Sequence, residues 1–271
     1  MKLVTYRLAD FEGSEMTAFG ALHGDDVVRL DVAPGHDYSG LGSVEDYLAG
    51  LPGTHERAKA IVADASAPRV PLAAVHTLPA LPHPVTVLAC RPAPEGLHTD
   101  PVVDPIVSGP GRVIAKGEEA VSRYGIRPQL GIVTPKEMAL PLEHIAPAAY
   151  VIFNEIHVHD IETGHQRVGV GLGPYLVTPD EVRDPLALEI RVTFRDRDPW
   201  HGVTAYEHGP HEILFELQRR YHFRAGTLIG LGPIPGSFGL DGDEWLKAGE
   251  TFTISIDGLG ELTQHPGFRH A

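Results

Sequence analysis

The chain has 271 residues, 42% of them hydrophobic, which suits one large domain with a smaller appendage or two domains and argues against disorder. Its formal net charge of −14, with no Lys/Arg cluster to offset it, argues against nucleic acid and anionic membrane as partners and leaves a small-molecule substrate. Cys90 is the single cysteine, no apolar run reaches membrane-spanning length, and the start MKLVTYRLADFEGSE lacks a signal-peptide core, so a cytoplasmic location is expected.

In chain order, KLVTYRL (2–8) and TAFGALHGDDVVRLD (17–31) predict strands, with HGDD supplying turn residues. SVEDYLAGLPG predicts a short helix over 43–51 capped by Ser43, and THERAKAIVADAS a second helix capped by Thr54. APRVPLAAVHTLPALPHP is proline-rich and lacks a helical period, so it reads as an extended connector. A boundary near residue 80 then separates a small α/β amino-terminal domain with its connector (1–80) from a catalytic domain (81–271). Strands are expected over 85–90, 129–134, 149–160, 187–195, 226–232 and 250–256. VTPDEVRDP predicts a helix start with Thr178 as N-cap and Pro179 in first position, and HEILFELQRRYHF a helix over 211–223 with the stripe Ile213, Leu214, Leu217. ISIDGLGEL closes as a hairpin through Asp257-Gly258. Many strands with few helices make the fold class α+β and β-rich.

The stretch YVIFNEIHVHDIE (150–162) carries the chemistry. Glu155, His157 and His159 are two residues apart and share one face of a strand. They could move protons near neutral pH, or hold a metal as Glu155, His157 and His159 together, or line a solvated face. Arg127 and Gln129 flank Pro128 and also share a face, which is a pocket wall or an exposed edge. His98 and Asp100 could pair as acid and base in a Pro/Gly-rich loop. Cys90 ends an apolar strand and reads as core. His201, His208 and His211 do not have zinc spacing, with His211 expected at the surface or as a cap, and the glycines of 171–174 and 230–236 read as turns. Asp160 and Glu162 read as solvated strand positions.

LGPYLVTPDEVRDP (172–185), Gly109-Pro110-Gly111, the run RAGTLIGLGPIPGSFG with EWLKAGETFTISIDGLGEL, and a strand, helix and strand over 129–162 occur in an order that resembles the fumarylacetoacetate hydrolase superfamily. The resemblance covers roughly residues 85 to 264 and implies a rolled mixed β-sheet core with a small amino-terminal domain, usually in a homodimer. It also implies Mg²⁺ or Mn²⁺ held by a Glu-x-Glu and an Asp on two strands. Here the Glu-x-Glu positions carry Arg127 and Gln129, and Glu155 stands for the Asp. His157 and His159 replace a Ser and an Arg, Pro233 replaces a substrate-binding Thr, and Arg167 keeps a positive charge near the family's Lys. A guanidinium is never a metal ligand, so no metal cofactor is expected, and Arg127 could bind a substrate oxyanion in the metal's place.

The favoured expectation is a hydrolase-, lyase- or isomerase-like enzyme acting on a small enolisable carbonyl acid, by isomerisation, cyclisation, decarboxylation or C–C cleavage without a metal. A role in biosynthesis of specialised metabolites would suit it. In this scheme Arg127, Gln129 and Arg167 bind substrate, and Glu155, His157, His159 and His98 are the catalytic candidates. The alternatives are a metal-dependent acylpyruvate- or fumarylacetoacetate-type hydrolase with rebuilt ligands, and a catalytically silent partner subunit.

Overall fold

In the computed structural model the described residues are 1–8, 16–93, 96–103, 105–111, 113–114, 123–135, 145–160, 164–234, 236–237, 239, 244–247 and 249–266. The amino-terminal part contains β1 (Lys2–Leu8), β2 (Ala18–His23), β3 (Asp26–Arg29), α1 (Val44–Ala49), α2 (Gly53–Ala63), β4 (Arg69–Pro71) and β5 (Val75–Thr77). There follow β6 (Thr86–Ala93), β7 (Gly96–Pro101), β8 (Ile106–Ser108), β9 (Val113–Ile114), β10 (Arg123–Val133), β11 (Ala149–Asp160), β12 (Gly164–Leu172) and β13 (Tyr175–Val177). The chain continues through β14 (Glu189–Phe194), β15 (Trp200–Val203), α3 (Pro210–Gln218), β16 (Thr227–Gly230), β17 (Phe252–Ile256) and β18 (Gly260–Pro266). The fold is α+β and β-rich, as the residue pattern predicts.

Among the described residues the strands form a 13-stranded mixed sheet, with the path β4-β3-β2-β1-β13-β11-β10-β16-β6-β7, and a five-stranded sheet, β15-β14-β17-β18-β9. The large sheet is apolar on both faces. One face, with Ile126, Leu130, Ile132, Ile152 and Ile156, packs on Val192, Ile254 and Leu262 of the small sheet and on the Ile213, Leu214 and Leu217 stripe of α3. The other, with Val133, Val151, Phe153 and Val170, packs on Val44, Tyr47 and Leu48 of α1 and Ile61 of α2. A strand covered on both sides loses the alternation of a half-exposed one, which is why 150–158 reads as a nearly unbroken buried run.

Several expectations are corrected. Ser43 caps α1 by accepting the Asp46 N–H, but α2 begins at Gly53, so Thr54 lies inside its first turn and donates to Tyr47 O at 2.6 Å. The connector is extended, and it forms β4 and β5, which pair with β3 and β1. The helix start at Thr178 is a single 3-10 turn, Pro179–Glu181, because Asp184 precedes a proline and is disfavoured in a helix; Thr178 Oγ1 donates to Asp180 instead of capping. Helix α3 stops at Gln218, five residues short of the expected end, and Tyr221 and Phe223 reach the core from the non-helical segment that follows. The N-cap of α3 is Gly209, and His211 donates from Nδ1 to Ile145 O, so it is not a cap. The predicted helix between the strands at 129 and 149 falls on 136–144, and Glu162 at 162; both lie outside the described residues. Cys90 is fully buried, as expected, and burial pushes its thiol up to about 12.

Candidate functional site

β10 and β11 run antiparallel over their full lengths, with Arg127 opposite Glu155 and Gly125 opposite His157. Cross-strand partners project to the same face, so Arg127, Gln129, Glu155 and His157 converge there. On the other side of β11, the register with β12 shifts between Ile156 and His157. Val170 faces Glu155 and Gly169 faces Ile156, but His157 faces Arg167, so Val168 is the extra residue of a β-bulge. A bulge re-aims the side chains beyond it, and here it sets Arg167 beside His157 on the same polar face.

Glu155 is the hub and is completely buried. Its Oε1 accepts from Gln129 Nε2 at 2.9 Å and lies 3.6 Å from Arg127 Nη1. Its Oε2 is ion-paired with Arg167 Nε at 2.6 Å and lies 3.4 Å from His157 Nε2. Burial alone would raise the Glu155 carboxyl, but His157, Arg167, Arg127 and Gln129 outweigh it and hold it at about 2. Burial lowers the His157 imidazole; Glu155 pulls it up, and the two arginines push it down again. Among the described residues the cluster therefore contains two guanidinium groups, one carboxylate and an imidazole biased to its neutral form. Arg167 Nη2 is buried and has no hydrogen-bond partner among the described residues.

Gln129 is locked from both ends. Gly232 N–H donates to its Oε1 at 2.9 Å, which leaves the amide N–H₂ to face Glu155. Gly232 has φ +105, a conformation that glycine adopts without steric cost. Pro128 has no N–H to give. Leu130 N–H, which points to the same side of the strand two residues on, goes to the Tyr206 hydroxyl at 2.9 Å and not to β16. Pro128 therefore sits where β10 has run past its neighbour strand, as a proline in a sheet must. On the opposite face Asn154 accepts from Arg127 N at 3.0 Å and leads to Gln264, whose Nε2 donates to Ser108 Oγ at 2.9 Å. All three are buried.

The remaining candidates are dispersed. The His159 ring lies 5.5 Å from Trp245 in a tilted stack. His98 is exposed on β7, which β6 and β16 separate from β10. Where a loop was expected, 91–93 and 96–100 lie in the antiparallel strands β6 and β7, and Asp100 Oδ2 is 2.9 Å from Arg91 Nη2, so its partner is an arginine. His208 is exposed, 3.8 Å from Glu212. Gly232, Asn154, Gln264 and Tyr206 escaped the sequence reading. Each acts through a contact distant in sequence, and no spacing marks it.

The family of the resemblance uses a hard divalent ion, which needs oxygen ligands. At the three corresponding positions Arg127 offers only N–H donors, Gln129 has its oxygen committed to Gly232, and Glu155 is enclosed by two guanidinium groups. These residues do not fit that ion. Among the described residues, no three His, Cys, Asp or Glu side chains gather as a ligand set.

Comparison with known proteins agrees with this architecture. The fumarylacetoacetate (FAA) hydrolase C-terminal family matches residues 142–265, which span β11 to β18. Over this carboxy-terminal span the chain is similar to that family. Glu155, His157, His159 and Arg167 lie in the matched region, and Arg127, Gln129 and His98 precede it. A Burkholderia ambifaria protein named "Putative hydrolase" is 31% identical over 153 residues, 50% of this chain and 54% of that protein. The match thus spans about half the length of the curated relative. Maleylpyruvate hydrolase from Sphingobium sp. SYK-6 superposes with a TM-score of 0.74 at 17% identity, covering 98% of this chain and 99% of that one. The same enzyme with manganese(II) and pyruvate gives 0.73 at 18% identity, covering 99% and 100%. The 2-hydroxyhepta-2,4-diene-1,7-dioate isomerase of Mycobacterium marinum gives 0.69 at 18% identity, covering both chains completely. At these identities the structural likeness establishes the fold. Among the described residues no helix is long and apolar enough to cross a membrane.

Proposed function

We propose that this protein is an enzyme of the fumarylacetoacetate hydrolase superfamily that holds the carboxylate or enolate oxygen of a small 2-oxo acid on Arg127 and Arg167 and moves a proton with His157, without a divalent ion. The observation that carries this reading is the Arg167 Nη2 group, which is buried beside Glu155 with no hydrogen-bond partner among the described residues. A buried donor of this kind costs stability unless a ligand meets it, and a substrate anion would.

Glu155 has a different role in this scheme from the proton carrier that its position on the strand first suggests. A carboxyl held at about 2 stays ionised throughout the physiological range and is a weak base. It aligns the two arginines and orients His157. The imidazole, kept neutral beside two cations, is the proton acceptor, and His159 stands further along the same face. Anion binding plus one base suits keto–enol isomerisation of a 2-oxo acid better than hydrolysis, which needs an activated water. Decarboxylation would draw on the same groups.

The 2-oxo acid class is supported by the neighbour that binds pyruvate. That neighbour also contains manganese, which supports the metal-dependent hydrolase as the second reading. Calorimetric titration with pyruvate and with oxalate, a planar mimic of its enolate, separates the two. Binding in EDTA that Arg167→Ala weakens at least roughly tenfold is the expected result. Binding seen only with Mn²⁺ would return the site to metal chemistry. Failure of both acids under both conditions would favour the silent subunit.

A further inference from the structure

In the amino-terminal part of the large sheet, Arg7 of β1 stands opposite His76 of β5. Directly opposed residues of an antiparallel pair project to one face, so the guanidinium and the imidazole are neighbours there. Both line a cavity of about 490 Å³, with Leu78, Pro110 and Gly111 among its other walls. The 109–111 wall is held from two sides. A Cβ on Gly109 would lie 2.5 Å from Pro79 N, so the loop is pressed onto the chain just after β5. Gly111 N–H donates to Thr263 O of β18 at 2.8 Å.

Arg7 Nε is buried and has no hydrogen-bond partner among the described residues. The chain carries 36 Asp and Glu against 22 Lys and Arg, yet no Asp or Glu is among the described residues that line this cavity. A buried donor without an acceptor costs stability until one reaches it. The guanidinium presents its donors as a planar fork that matches two oxygens of a carboxylate or a phosphate. His76, exposed beside it, adds a donor from its ring. The net charge of −14 works against an anion at long range, so affinity here comes from these short contacts.

We propose that this cavity is a second anion-binding site, which takes a small oxyanion, a carboxylate or a phosphate, on the fork of Arg7 while His76 donates to a further oxygen. It shares no residue with the Glu155 cluster and does not depend on the reading of Arg127 and Arg167. The bound anion bridges β1 and β5, so it stabilises the folded chain.

The probes are inorganic phosphate and succinate, each titrated into the full chain by calorimetry. Binding of at least one probe that Arg7→Gln weakens at least roughly tenfold, and that Arg167→Ala leaves unchanged, is the expected result. Preference for phosphate would mark a phosphorylated ligand, and preference for succinate a carboxylic acid. His76→Glu, at an exposed position, gives a second measurement where Arg7→Gln perturbs folding. Its carboxylate takes the anion's place beside Arg7, so the melting temperature without ligand should rise and the response to both probes should vanish. Binding that Arg167→Ala abolishes and Arg7→Gln spares would assign the anion to the Glu155 cluster and overturn this site. No binding of either probe would overturn it as well.

Discussion

At Glu155 two opposite effects of burial meet. Burial opposes the charge, and four neighbours restore it, so the carboxylate is stable only while they are present. Glu155→Gln would remove the buried anion that Arg167 pairs with at 2.6 Å, and a loss of about 3–5 kcal/mol is expected, read as a large fall in melting temperature. The pH dependence has a definite sign. The folded-state pKa of Glu155 lies below its ordinary value of 4.5, so its contribution is complete above about 4.5 and disappears as pH falls toward about 2. His157 acts in a different window. Its folded-state value is lowered, so below its ordinary 6.5 the unfolded chain gains a proton that the folded chain resists, and stability falls with pH. His157→Gln should flatten the melting temperature between pH 7 and pH 5 relative to wild type. Of the residues in this cluster, Glu155, His157, Arg127 and Gln129 were legible from the sequence, because alternation in a strand assigns faces before any fold is known, and Arg167 was singled out by the family resemblance alone. Their mutual engagement was not legible: nothing local says that both arginines turn onto one carboxylate.

At the scale of elements, the site depends on three irregularities in regular strands. They are the bulge at Val168, the proline at 128 and the glycines that let β16 and the 231–233 segment approach β10. Gly230 is the sharpest case. A Cβ there would lie 2.5 Å from Gln129 Oε1 and 2.8 Å from the Phe153 ring. Gly230→Ala should push Gln129 off Glu155 and cost on the order of 1–3 kcal/mol, with a matching loss of oxalate affinity. Element type was readable because hydrophobic period and turn residues are local signals, as in β6, β11, β17 and the Ser43 cap. Element ends were less so. α3 ended before the expected position although Tyr221 and Phe223 beyond it still pack on the core, and β7, where a loop was expected, pairs with β6 on the edge opposite β16.

For the whole molecule, the large sheet runs through the expected boundary near residue 80. β1 pairs with β13, and one apolar cluster draws Leu3, Phe19 and Tyr47 from before it and Val151, Phe153 and Val170 from after it. A fragment of residues 81–271 should therefore expose the β13 edge and that apolar face, and aggregate; the full chain should unfold in one transition by circular dichroism and fluorescence. A soluble, folded fragment would support two independent domains. The sequence by itself determined the β-rich class, several of the strands and the face on which the polar residues of β10 and β11 stand, since these follow from side-chain period and backbone sterics within a few residues. Only the tertiary structure decided that Arg127 and Arg167 close on Glu155, that Gln129 turns its amide nitrogen toward it, and that Tyr206 reaches Leu130. Those contacts join residues from 12 positions apart (Arg167 and Glu155) to 103 (Gly232 and Gln129), and their geometry is set by packing between strands, to which no local pattern is sensitive.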